Sequence, residues 1–128
     1  MAARNTRRRI NQLAKNRPNP DHAQFLTMMQ PDVSDGTSQF LWDTAMFYLN
    51  GRGLTPHPDD LLLDLPIEED DWSMDWPREF ASLQGFHESD LPDWPKDWPA
   101  TIRSYGCWLD MGLPQDQVSG RPPADDRS

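Results

Sequence analysis

Valine and isoleucine are scarce in this chain, numbering five together in 128 residues. Strands favour β-branched side chains, so the shortage argues against a sheet protein and for helices joined by loops. A single cysteine, Cys107, excludes an internal disulfide and suits a reducing compartment, so a cytoplasmic location is expected. No apolar run approaches the roughly 18 residues that a membrane span requires. The basic N-terminus lacks the apolar stretch of a secretory signal, although it loosely meets the description of an organelle transit peptide. Leu, Ile, Val and Phe total only 23 residues. At a net charge of −9, that share falls below the roughly one-fifth typical of chains that fail to fold. Six Trp and six Met restore large apolar surface, at roughly 1.5–3 kcal/mol for each fully buried side chain of this size. The expectation is one acidic domain over residues 18–112, with a basic flexible arm before it (1–17) and a disordered tail after it (113–128).

Charge is divided along the chain. The first seventeen residues hold Arg4, Arg7, Arg8, Arg9, Lys15 and Arg17 and no acid, whereas His57 to Trp98 hold thirteen Asp and Glu against Arg78 and Lys96. Removing the six cations of the arm from the total of −9 leaves −15 for the rest. Blocks of opposite sign point to contact with other macromolecules rather than to catalysis.

Helical signals are short and punctuated by proline. Asp21 to Gln30 reads as one helix stopped by Pro31, with Ser34 and Asp35 as caps for the next. Thr37 to Asn50 is apolar on nearly every side, predicting a central helix ended at Gly51. Pro58 with Asp59 and Asp60 suits the first turn of a short helix to Leu65, stopped by Pro66. Ile67 to Trp76 reads as an acidic loop. Pro77 opens a helix to Gln84 with Phe80 and Leu83 as its apolar pair and Gly85 as its stop. Pro99 is predicted to open another, to Met111, with Trp98, Ile102, Tyr105 and Leu109 on one face. The fold expected is all-α: a small irregular bundle of four to five short helices joined by Pro-rich acidic loops. The nine residues Met46 to Leu54 resemble a fragment of a Sel1-type helical repeat, but no second copy follows at a suitable period, and nothing is drawn from them.

One pattern occurs twice, Asp-Trp-x-x-Asp-Trp-Pro, at Asp71 to Pro77 and at Asp93 to Pro99, and it holds four of the six tryptophans. Two copies suggest at most a pseudo-symmetry. A row of carboxylates on a rigid frame can imitate nucleic-acid phosphates or fill a basic groove, and Trp supplies anchoring area. The candidate partner-binding residues are therefore Glu68, Glu69, Asp70, Asp71, Asp75, Asp93 and Asp97 for steering, with Trp72 and Trp94 as the more exposed anchors. Trp76 and Trp98, each before a proline, are expected in the core.

Enzymatic signals are thin, and an enzyme is not expected. His22, His57 and His87 have only local acidic neighbours, no metal-ligand spacing or phosphate loop is present, and no cofactor is implied. The leading expectation is an acidic adaptor or inhibitor that docks on a basic surface of a larger, nucleic-acid-handling protein. In size and acidity it is similar to phage-encoded inhibitors of host defence that imitate nucleic acid. The alternative is a nucleic-acid-attached regulator in which Arg4, Arg7, Arg8, Arg9, Lys15 and Arg17 hold RNA or DNA while the acidic body recruits a protein.

Overall fold

The computed structural model describes residues 17–113 together with Gln12 and Lys15. Arg4, Arg7, Arg8, Arg9 and residues 114–128 lie outside the described residues. Within residues 17–113 four α-helices form the body: α1 (His22–Met29), α2 (Asp35–Leu49), α3 (Trp76–Gln84) and α4 (Ile102–Asp110), with 3-10 turns at Leu62–Asp64 and Glu88–Asp90. The architecture is all-α; among the described residues the sole extended pairing is an isolated antiparallel bridge between Leu61 and Thr101.

Local chemistry explains where each helix starts. Asp21 caps α1 reciprocally: its Oδ1 accepts from the Gln24 amide and Gln24 Oε1 accepts from the Asp21 amide, each at 2.8 Å. Such a box satisfies two donors that a helix start leaves orphaned. Ser34 stands at the N-cap of α2, yet its hydroxyl does not cap. The service comes from Asp110 at the far end of α4, whose carboxylate accepts from the Ser34 amide (2.8 Å), the Ser34 hydroxyl (2.8 Å) and the Thr37 hydroxyl (2.5 Å). A negative group is thereby placed at the positive end of the α2 dipole, and α4 is tied to α2. The first amides of α4 find carbonyls in the preceding loop: Ile102 donates to Asp60 and Arg103 to Pro58. Thr101 caps the same helix through the Ser104 amide at 3.1 Å.

Three expectations are corrected here. The acidic segment before Pro77 is not a loop, because Asp71–Asp75 form a wide π-helical turn that runs directly into α3. Proline cannot donate to the preceding turn, and its ring collides with the carbonyl four residues back. A turn closed by the bond from the Trp76 amide to the Asp71 carbonyl opens that space and lets the helix continue through the proline. Pro99 does not open a helix; α4 starts three residues later, since Ala100 and Thr101 are extended and engaged with Leu61 and Leu62. The helix predicted from Asp59 shrinks to the 3-10 turn Leu62–Asp64 for the same reason. The two Asp-Trp patterns thus fold differently, one helical and one irregular, and the pseudo-symmetry fails.

The core contains Phe25, Met29, Leu41, Leu49, Leu62, Phe80, Ile102, Tyr105 and Leu109, all fully buried. Of the apolar pair predicted for α3, Phe80 is buried and Leu83 is exposed; Trp76 and Ala81 complete the buried face. Helices α2 and α4 meet at Gly106, where a Cβ atom would stand 2.8 Å from Val33 Cγ1 and 3.1 Å from Leu41 Cδ1. Leu113 packs against the core, and Arg17 is fastened to Asp60 through Nε–Oδ1 and Nη2–Oδ2 contacts of 2.8 Å, with a further bond from Nη2 to the Thr55 carbonyl. Burial pushes the Asp60 carboxyl above its ordinary value, against the opposing pull of the His57 amide and Arg17. No described helix is long and apolar enough to cross a membrane.

Candidate interaction surface

The two Asp-Trp patterns converge on one buried ring. Tyr105, on the inner face of α4, lies 6.4 Å from Trp72, 5.8 Å from Trp76, 6.3 Å from Trp94 and 5.6 Å from Trp108, centroid to centroid. Its hydroxyl donates to the Trp72 carbonyl, and burial raises its pKa. The tryptophans therefore divide their work differently from expectation. Trp76 is core, at 3% exposure, whereas Trp98, expected beside it, is 36% exposed and is the more open ring. The anchors Trp72 and Trp94 are half-buried. The cause lies in the second pattern's loop, where Asp97 takes a φ of 119° and no helix follows. Trp98 is left outside, edge-on to Trp94 at 6.0 Å, with its carbonyl accepting from Trp94 Nε1 at 3.2 Å.

The candidate steering residues fall into three groups. Glu68, Glu69 and Asp70 are exposed ahead of the π-helical turn, and Asp93 and Asp97 are exposed on the loop before α4. Asp71 and Asp75 belong to a groove between α2 and the π-turn with α3, about 450 Å³ in volume. Its lining brings in residues that the sequence reading passed over, Asp43 and Phe47 from α2 and Glu79 from α3, together with Thr44, Tyr48 and Trp76. Asp43 with Phe47, and Asp75 with Glu79, are pairs spaced i, i+4, so each pair shares one stripe of its helical segment. Four carboxylates thus line an aromatic floor. Phe47 is 82% exposed and meets Tyr48 edge-on at 5.3 Å. The spacing signal for the α2 stripe was present, but an almost continuous apolar run hid which ring would point outward.

The floor is held firmly. Tyr48 donates to Asp71 Oδ2 at 2.7 Å and its ring lies 6.4 Å from Trp76. Burial, reinforced by the Asp71 hydrogen bond, pushes the Tyr48 phenol up to about 12, so it stays a neutral donor at physiological pH. The rim is less committed. Arg78 lies 3.8 Å from Asp75 and 3.9 Å from Glu88 with most of its side chain in solvent, and such exposed pairs contribute little. Of the thirteen acids between His57 and Trp98, only Asp59, Asp60, Asp75 and Glu88 have an ion-pair partner among the described residues. The other nine have no ion-pair partner among the described residues, and their charge is not neutralised there.

The remaining candidates have local structural work. His22 Nε2 bonds Gln39 at 2.8 Å, His57 Nδ1 accepts from the Asp59 amide, and His87 Nδ1 accepts from the Ser89 amide. No group of three or more His, Cys, Asp or Glu stands ready to hold a metal ion among the described residues. Of the candidate nucleic-acid contacts, Lys15 is exposed and Arg17 is consumed by Asp60; the other four lie outside the described residues. Comparison with known protein families, with curated proteins and with solved structures gave no match, so the functional argument rests on this geometry.

Proposed function

We propose that this chain is a small acidic docking protein, an adaptor or inhibitor that engages a basic surface of a larger protein of the nucleic-acid-handling kind. The observation that carries the reading is the groove between α2 and α3, where Asp43, Asp71, Asp75 and Glu79 surround an almost fully exposed Phe47. A protruding lysine or arginine fits it: the head group meets carboxylates, and the guanidinium or ammonium lies over an aromatic face. The unquenched acids at Glu68, Glu69, Asp70, Asp93 and Asp97 steer the encounter, raising association rates by about 10- to 1,000-fold at low salt. Partners that ordinarily bind phosphates meet carboxylates instead.

The test is capture from cell extract, with and without nuclease treatment, on the immobilised full chain, with heparin as competitor. Proteins retained by the wild type and eluted by heparin are expected to be lost when Asp43→Asn, Phe47→Ala, Asp75→Asn and Glu79→Gln are combined. Replacing Asp70, Asp93 and Asp97 by Asn should slow capture without abolishing it. Equal retention by the groove variant overturns the proposal. Retention that nuclease alone removes would favour the arm as a nucleic-acid contact instead.

A further inference from the structure

The end of α2 exposes a reactive pair, Asn50 and Gly51; no other asparagine of the chain precedes a glycine. Leu49 to Arg52 form a type II turn, with Asn50 at φ −56° and ψ 132°, Gly51 at φ 82°, and a bond of 3.0 Å from the Arg52 amide to the Leu49 carbonyl. Such a turn leaves its central peptide unengaged. Neither the Gly51 amide nor the Asn50 side chain has a hydrogen-bond partner among the described residues. Both residues are exposed, and a Cβ added to Gly51 would meet nothing within 4 Å, so no neighbour shields the Gly51 nitrogen. The comparable pairs lack one of these features. Asp35 also precedes a glycine, but it lies inside α2, where turning the backbone breaks helical bonds, and it offers a carboxylate rather than an amide to attack. Asn19 precedes Pro20, whose nitrogen carries no proton to lose.

We infer that Asn50 deamidates spontaneously in the folded chain, through a succinimide closed by the Gly51 nitrogen. The Gly51 amide loses its proton to hydroxide and the nitrogen attacks Cγ of Asn50. The Cγ–Nδ2 bond then breaks, and Nδ2 takes up a proton from water and departs as ammonia. A second water opens the ring, at Cγ to leave aspartate or at the main-chain carbonyl to leave isoaspartate. In sum one water is consumed and one ammonia released, with no change of oxidation state. Glycine permits the ring to close because no Cβ obstructs the rotation that brings its nitrogen to Cγ. Asn50 follows Asp43 and Phe47 by seven and three residues, so it continues the stripe of α2 that walls the groove. Resting on the docking role proposed above, the reaction adds a carboxylate at the end of that wall and tightens the hold on a basic partner as the protein ages.

The experiment incubates the full chain at physiological temperature, at neutral and at mildly alkaline pH, in water enriched in oxygen-18, and follows it by peptide mass spectrometry. A methyltransferase specific for isoaspartate marks the rearranged product. The fragment holding Asn50 should exchange its amide for a labelled oxygen, faster at the higher pH, and divide into two products of which one is methylated. A synthetic peptide of residues 46–55 is the unfolded control. The turn is closed by a single backbone bond, so the intact chain should convert within about tenfold of the peptide's rate. Slower conversion than that, or conversion only when urea unfolds the chain, overturns the inference; so does conversion without label or without isoaspartate. Fluorescence anisotropy with a labelled hexa-arginine peptide then reads the consequence. The Asn50→Asp chain, verified as folded by circular dichroism, should bind it about twofold more tightly than fresh wild type at low salt. Equal binding beside confirmed deamidation would remove the link to the groove, whereas no binding by either chain would sink the docking function and leave the reaction standing.

Discussion

Replacing Asp110 by Ala should loosen the bundle at one point, and the size of the effect can be worked out. The carboxylate satisfies three donors, the Ser34 amide, the Ser34 hydroxyl and the Thr37 hydroxyl. In its absence the Ser34 hydroxyl can still donate to Thr37 Oγ1, which lies 2.9 Å away. Two donors are then orphaned at about 1–3 kcal/mol each, and the lost charge at the N-terminus of α2 adds about 0.3–1 kcal/mol. Asp110 is only half-buried, so water reaches part of the gap and the lower portion of the range applies, about 2–3 kcal/mol. Against a total stability of about 5–15 kcal/mol that is a large fraction. With a urea dependence of about 2 kcal/mol per molar, the unfolding midpoint followed by Trp fluorescence should fall by about 1–1.5 M. Asp110→Asn keeps one acceptor oxygen and should fall between the two. A loss under about 0.5 kcal/mol, or Asn equal to Ala, would refute the claim that α4 caps α2 across the fold.

Gly106→Ala forces a Cβ to within 2.8 Å of Val33 and should cost about 1–3 kcal/mol through overpacking, read by calorimetry as a fall in Tm of about 4–8 °C per kcal/mol. Asp97→Gly should do the opposite and raise Tm, because a φ of 119° strains a side-chain-bearing residue by about 1–3 kcal/mol and glycine adopts it freely. An ultraviolet titration of the phenols should find Tyr48 ionising near 12 and Asp71→Asn lowering it only part of the way, because burial, the larger cause of the rise, stays in place. Since its folded pKa is raised, the stability tied to neutral Tyr48 is present below pH 10 and lost as pH climbs through about 12.

Where local chemistry decided the outcome, the sequence was a good guide. The helix expected from Asp21 and stopped by Pro31 is α1, and Pro77 with Gly85, which takes a φ of 80°, bracket α3. What escaped was set by residues distant in the chain. The cap of α2 lies 76 residues from Ser34, so no window of sequence could show it. Pro99 carried the same signal as Pro77 but lost to the extended pairing of Thr101 with Leu61. The π-turn that rebuilt the acidic loop arises from the proline it accommodates. For the surface, the acidity around the Asp-Trp patterns was legible, while its most organised part was not. Asp43 and Phe47 belong to a helix whose apolar run read as central, and only the packing of α3 against α2 turns that stripe into one wall of a groove.

The central claim is that a defined groove, rather than diffuse negative charge, receives a basic group. Titrating the isotope-labelled full-length chain, its arm arginines replaced by glutamine, with a hexa-arginine peptide and following backbone and indole NMR signals tests it most directly. Shifts should concentrate on Asp43, Thr44, Phe47, Glu79 and the Trp76 indole, and Phe47→Ala should weaken them. Shifts spread over Glu68 to Asp70, Asp93 and Asp97 in proportion to their charge, with the groove signals unmoved, would contradict it.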